Sequence, residues 1–272
     1  MKIRFTKMHG LGNDFILIED LAGLVRLNRE KIRLLCDRRY GIGADGILLV
    51  KRSSRADARM RVFNPDGFEV EMCGNGIRCF ARFLRRRGLV RRDELKVQTG
   101  AGILGMKIKG EMVEVEMGRP EFSGEKIPLR RKGKVINQVV KLAGRDFRIT
   151  CVSMGNPHCV IFYPPSARPD VSRWGPLIEE DGFFPRKTNV EFVKVISPRR
   201  LKLDIWERGA GLTPACGTGA CASLVASVLA GKTERSATVV LPGGELEIEW
   251  REDDQVLMTG PAAFVFQGEI EV

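Results

Sequence analysis

The sequence lacks any uninterrupted apolar run approaching the ~20 residues of a membrane span. Its opening residues also lack an apolar core of signal-peptide length. We therefore expect a cytoplasmic protein without a membrane partner. Histidine is scarce, at two residues, His9 and His158. The seven cysteines (36, 73, 79, 151, 159, 216 and 221) are an odd number without Cys-x-x-Cys spacing. That excludes a complete disulfide framework and a zinc ribbon, so reduced thiols are the default and no metal is expected. Glycine forms no tract, its 30 copies being spread along the chain. With 43% hydrophobic and 29% charged residues, the composition excludes disorder and describes a globular protein. The 272 residues fit two domains of modest size.

A net charge of +11 is partly concentrated in Arg82, Arg85, Arg86, Arg87, Arg91 and Arg92, and partly in the basic stretch at 126–134. Such patches can bind nucleic acid or attract anionic substrates. Phe83 is the lone aromatic residue within 82–92 and none lies in 126–134, so there is no pattern of interleaved aromatics, and 34 acidic residues are interspersed with the 45 basic ones. The arginines are expected on a solvated helix face and the 126–134 stretch as a surface connection. A basic nucleic-acid-binding protein remains the competing, non-enzymatic reading.

Two segments repeat each other: Cys73-Gly74-Asn75-Gly76-Ile77-Arg78-Cys79 and Cys216-Gly217-Thr218-Gly219-Ala220-Cys221. Their first cysteines lie 143 positions apart, and that offset can be tested elsewhere. It carries Gly12-Asn13 onto Gly155-Asn156, Phe63 onto Trp206, Asn64 onto Glu207 and Gly46 onto Asn189. Separated regions in one register imply two similar domains, with the Cys73 turn expected opposite the Cys216 turn.

Short strand-like runs dominate both halves, and each cysteine motif opens a helix-like segment, 76–87 and 219–229. Ala222, Leu224, Val225, Val228 and Leu229 make the second helix apolar nearly all round, as in a buried helix. Gly88 and Gly231 are the expected stops of the first and the second helix. A boundary falls at Gly118-Arg119-Pro120, giving domains 1–118 and 119–262.

A free thiol has a pKa of about 8.5, and a helix N-terminus favours its thiolate through unpaired backbone N–H groups and the macrodipole. Neighbouring glycine lets a ligand approach the backbone, and the same N–H groups can hold a carboxylate. Two such turns suit inversion at the α-carbon of an amino acid. A thiolate on one face removes the proton, and a thiol on the other returns one. Any single cysteine is more often a small buried apolar group, which is the expectation for Cys36, Cys151 and Cys159 and also for Cys79 and Cys221. His9 is read as structural. His158, two residues beyond Asn156, is placed to tune a thiol.

Over essentially its whole length the sequence resembles diaminopimelate epimerases. The matching motifs are 8–15 (Met-His-Gly-Leu-Gly-Asn-Asp-Phe), 63–67 (Phe-Asn-Pro-Asp-Gly), 73–79, 155–158 (Gly-Asn-Pro-His), 188–192 (Thr-Asn-Val-Glu-Phe) and 207–221. The resemblance implies an α/β (α+β) fold of two pseudo-symmetric domains. Each would be a curved sheet or partial barrel around a central helix, with the active site in the cleft between them and a last strand at 263–272 returning to the first domain. It implies conversion of LL- to meso-diaminopimelate, for lysine and peptidoglycan synthesis, without pyridoxal phosphate or metal. On that resemblance Cys73 and Cys216 are the acid/base pair, and His158 and Glu207 modulate the thiols. Gly74, Asn75, Gly217 and Thr218 surround the reacting carboxylate. Asn13, Asn64, Asn156, Asn189, Glu207 and Arg208 bind the substrate, including its distal end. Phe266 matches a position associated with homodimer formation, though filling the core is an alternative role. One departure is Gly46, where some members carry a substrate-touching glutamine. Two-cysteine racemases of proline, hydroxyproline or histidine are the enzymatic alternative.

Overall fold

The computed structural model describes residues 2–164 and 166–271. The chain divides into two compact units, Met1–Val115 with Thr259–Val272, and Glu116–Met258. The first runs β1 (Lys2–Gly10), β2 (Asn13–Glu19), α1 (Arg29–Cys36), β3 (Gly46–Lys51), β4 (Ala58–Phe63), β5 (Glu69–Val70), α2 (Gly74–Arg86), β6 (Glu94–Thr99), β7 (Gly102–Lys109) and β8 (Met112–Gly118). Within β8 the chain passes into the second unit. There follow β9 (Gln138–Leu142), β10 (Arg145–Ser153), β11 (Pro157–Phe162), α3 (Val171–Glu179), β12 (Asn189–Ser197), β13 (Arg200–Glu207), β14 (Gly211–Leu212), α4 (Gly217–Leu229), β15 (Ser236–Leu241), β16 (Gly244–Trp250) and β17 (Val256–Pro261). The chain returns to the first unit within β17 and ends on β18 (Ala263–Glu271).

The two units are copies of one design. In the first, β18, β1 and β2 pair antiparallel in that order, β2 pairs parallel with β3, β3 antiparallel with β4, and β4 parallel with β6. In the second, β9 stands where β18 does, and β10, β11, β12, β13 and β15 repeat the pattern. Parallel neighbours need a long crossover. The helices supply it: α1 and α3 in the first crossover of each unit, α2 and α4 in the second.

The offset of 143 carries 2–10 onto β10 and 74–86 onto α4 residue for residue. Ladder registers agree as well. Phe15 pairs with Gly46 as His158 does with Asn189, and Leu48 pairs with Val62 as Glu191 does with Ile205. Beyond the central helices the second copy is one residue shorter, since Ala58 pairs with Val97 but Leu201 with Val239.

Each sheet curves round its own central helix. The helix α2 packs on β1, β2, β3, β4 and β7 through buried Ile77, Phe80, Phe83 and Leu84, while Arg85 and Arg86 face solvent. The helix α4 packs on β10, β11, β12, β13, β15 and β16 and is buried on every side from Gly219 to Ser227. Its buried hydroxyls are satisfied within the helix, Ser223 Oγ donating to the Gly219 carbonyl and Ser227 Oγ to that of Ser223, both at 2.7 Å. Burying each Leu, Val or Phe side chain contributes ~1.5–3 kcal/mol, the main reason these helices hold their places. Gly88 (φ +69°) and Gly231 (φ +66°) turn the chain out of the two helices in the left-handed region.

Three expectations change. The helices begin two residues earlier than read, at Gly74 and Gly217, because Cys73 and Cys216 take extended N-cap backbone and the glycines fall inside the first turn. The stretch at 126–134 is no mere surface connection, since Ile127 and Leu129 drop into the second unit's core beside Val135, Ile149 and Phe184. Phe266 does not fill the core: it is 48% exposed on β18, with its ring edge-on to Phe5 at 5.8 Å.

Candidate active site

In both units a strand, a tight turn and a helix present a cysteine at the helix N-cap. The backbone angles are φ −138°, ψ 120° at Cys73 and φ −124°, ψ 113° at Cys216, and neither side chain caps its helix. Intrahelical bonding starts with Ile77 N–H to the Cys73 carbonyl and Ala220 N–H to that of Cys216. The N–H groups of Gly74, Asn75, Gly217 and Thr218 lie in the first turn, where a helix offers no intrahelical acceptor.

Amides stand beside Cys73. Its thiol donates toward Asn13 Oδ1 at 3.8 Å, which also accepts from Asn75 Nδ2 at 3.2 Å. Asn75 Oδ1 accepts from Arg78 at 2.9 Å, and the guanidinium of Arg78, wholly buried, also donates to the Gly74 carbonyl at 3.0 Å. Asn13 is anchored from behind by Asp45 Oδ2 at 2.9 Å. Asp45 in turn shares Arg38 with Asp14, whose other partner is Lys7 at 2.7 Å. Burial alone would raise the Asp14 carboxyl, but hydrogen bonds from Arg38 and Lys7 outweigh it and hold the group well below the usual carboxylate range.

Around Cys216 the partners are acids and hydroxyls. The Thr218 hydroxyl lies 3.5 Å from Sγ, and the Glu207 carboxyl is also within interaction range while accepting from Thr213. Burial, then the neighbouring charge of Glu207, pushes the Cys216 thiol well above its ordinary value. Burial likewise raises Glu207. His158 does not pair with Glu207. Its Nδ1 meets Glu191 Oε1 at 2.6 Å and its Nε2 meets Asn156 Oδ1 at 2.9 Å, all three residues lying in the second unit.

Asn189, at the start of β12, meets Arg208 in the turn after β13. Asn189 is buried and spans two backbones, donating to the Pro157 carbonyl at 2.8 Å and accepting from Arg208 N–H at 3.0 Å. The Arg208 guanidinium is exposed and reaches the Arg186 carbonyl at 3.2 Å. Glu179 at the end of α3 holds the same turn, accepting from Trp206 Nε1 at 2.7 Å and from Gly209 N–H at 3.0 Å. Asn64 is exposed in the turn after β4, with its backbone bonded to Phe68 and Gly67. At Gly46 a Cβ would stand 2.7 Å from the Phe63 carbonyl oxygen, so the position has no room for a side chain.

The remaining cysteines are buried, and burial pushes Cys36 and Cys79 up to about 12. Among the described residues no group of three or more His, Cys, Asp or Glu is placed to hold a metal ion. Sequence reasoning missed Arg78, Glu179 and Glu191 as site-forming residues. Two of these stood inside motifs already singled out, yet only burial separates such charges from surface ones.

The pattern of the family described as "Diaminopimelate epimerase" matches residues 5–123 and 150–265. A diaminopimelate epimerase from Desulfitobacterium hafniense is 52% identical over 275 residues, covering 98% of this chain and 97% of that protein. The chain belongs to the diaminopimelate epimerase family. Among solved structures, a phenazine biosynthesis protein of the PhzF family from Bacillus anthracis superposes with TM-score 0.72 at 19% identity, covering 100% of both chains. A hydroxyproline epimerase from Agrobacterium vitis, with trans-4-hydroxy-L-proline bound, gives TM-score 0.70 at 14% identity, covering 99% of this chain and 92% of that one. At those identities the two neighbours share the two-domain α/β fold.

Proposed function

We propose that this chain inverts one α-carbon of LL-2,6-diaminopimelate to give the meso isomer, with Cys73 and Cys216 as the two proton-transfer groups. The observation that carries the reading is the repetition of one N-cap cysteine in two copies of one fold, within a family of epimerases. The thiolate of one cysteine takes the Cα proton, and the electron pair spreads into the substrate carboxylate. First-turn N–H groups of α2 and α4 stabilise that charge. The other thiol gives its proton to the opposite face, and exchange with water resets the pair. Every group needed for these steps is supplied by the protein, so the reading requires neither pyridoxal phosphate nor a metal.

Glu207 and His158 tune the Cys216 side. Asn13, Asn64, Asn156, Asn189 and Arg208 bind the substrate, Arg208 taking the distal carboxylate. Asn189, with both amide ends on backbone, also fixes the Arg208 turn. The half-exposed Phe266 on β18 fits a homodimer contact, and the setting is the cytoplasm. Against a nucleic-acid role, several arginines of the 82–92 cluster are engaged locally: Arg86 over Phe264 at 4.2 Å, Arg87 with Glu19 at 3.0 Å, Arg92 with Asp57 at 2.6 Å.

Single stereoisomers of diaminopimelate, proline, hydroxyproline and histidine supplied separately discriminate the substrates. Only diaminopimelate should be interconverted, and Cys73→Ala or Cys216→Ala should each cost on the order of 10²–10⁴ or more in kcat. Comparable turnover of proline, hydroxyproline or histidine would transfer the reading to the racemases.

A further inference from the structure

Behind the first turn of α2 the first unit places hydrocarbon. Phe15 and Leu48 are buried there, and a Cβ on Gly76 would meet Leu48 at 3.1 Å and Cys73 Cβ at 3.4 Å. At the corresponding positions of the second unit stand His158 and Glu191. A Cβ on Gly219, the counterpart of Gly76, would meet Glu191 Oε1 at 3.1 Å and Cys216 Sγ at 3.4 Å. One half backs its cysteine with an apolar pair and the other with an acid and an imidazole, both side chains 0% exposed.

The hydrogen bonds locate the proton. The amide oxygen of Asn156 only accepts, so His158 Nε2 carries a hydrogen. Among the described residues Glu191 Oε2 is buried without a hydrogen-bond partner. An ionised carboxylate would leave a charged oxygen unsolvated there, whereas a carboxylic acid leaves only a carbonyl-like oxygen unpaired, a smaller penalty. Burial also drives the Glu191 carboxyl up, by more than His158 draws it down. The titratable groups facing it are His158 and Cys159 on β11, Glu207 at the end of β13 and Cys216 at the start of α4.

We propose that Glu191 is a positioning residue for the Cys216 half of the site: as a carboxylic acid it donates to Nδ1 and locks His158 as the Nε2–H tautomer directed at Asn156. Asn156 is the counterpart of Asn13, whose amide oxygen accepts from Cys73. With that oxygen occupied by His158, the Cys216 thiol turns to Glu207 and Thr218. In the second unit the Cys216 thiol thereby has a carboxyl as proton partner, where Cys73 has the Asn13 amide among its own. The consequence for catalysis rests on the epimerase reading, but the tautomer does not.

The test uses the full chain labelled with ¹⁵N-histidine, whose two histidines are told apart by His9→Gln. Near neutral pH, His158 should show an unprotonated Nδ1 and a protonated Nε2. Glu191→Gln, whose amide N–H also donates to Nδ1, should keep that spectrum and a kcat within about threefold of the parent. Glu191→Leu should lose the single tautomer and on the order of 100-fold in kcat, with KM changed less. The pair His158→Phe with Glu191→Leu copies the first unit's own side chains, so it should fold with an unchanged Tm and still be slow. A protonated Nδ1 in the parent protein, or full kcat in Glu191→Leu, would overturn the proposal. A parent protein inert toward diaminopimelate would instead sink the functional reading and leave the tautomer result standing.

Discussion

Gly46 shows how a single residue can be legible in identity and opaque in cause. From sequence it is a glycine where some relatives of the same motif carry glutamine; from structure it is a glycine because the Phe63 carbonyl leaves 2.7 Å for a Cβ. Gly46→Gln should therefore restore no contact and instead destabilise the fold by about 1–3 kcal/mol through overpacking, read from a chemical denaturation midpoint. A stable, more active Gly46→Gln protein would show that the strand edge yields. The same contrast applies to charge. Cys73, Cys216 and His158 stand out in the sequence because their residue types are rare or repeated. Glu191 and Glu179 do not, because an acid inside a strand or helix looks the same buried or exposed. What singles them out is burial with a defined partner, His158 for one and the Trp206–Gly209 turn for the other.

At the scale of elements, the two cysteine helices carry the placement of both thiols. Their existence was readable from apolar spacing and from the glycines that stop them. Their first residues were not, since an N-cap is a backbone conformation and cysteine is not a habitual cap. The stretch at 126–134 misled for a related reason: its basic residues dominate the composition while Ile127 and Leu129 do the anchoring. Because α4 is enclosed by its own sheet, shifts along it should reach Cys216. Leu224→Ala, at a 0% exposed position, should cost about 2–5 kcal/mol of stability by leaving a cavity. A loss below about 1 kcal/mol, close to what surface substitutions cost, would show that α4 is not a rigid mount.

For the whole molecule, duplication is the organising fact, and it was the most legible feature of the sequence because an offset between motifs is independent of side-chain environment. The structure extended it from scattered motifs to strand registers, and located the one-residue shortening after the second central helix. It also showed where the copies part: amides beside Cys73, and beside Cys216 the carboxyls of Glu207 and Glu191, the latter bonded to His158. Two thiols serving two faces of one carbon is the central claim, and isotope transfer tests it most directly. LL-diaminopimelate is converted in heavy water, the reaction is stopped at low conversion, and deuterium at Cα is measured in both isomers. The account predicts one deuterium at the inverted carbon of the meso product and none in the recovered substrate, because the incoming proton comes from a second, solvent-exchanged thiol. Protium retained at that carbon, or equal label in both isomers, would contradict it.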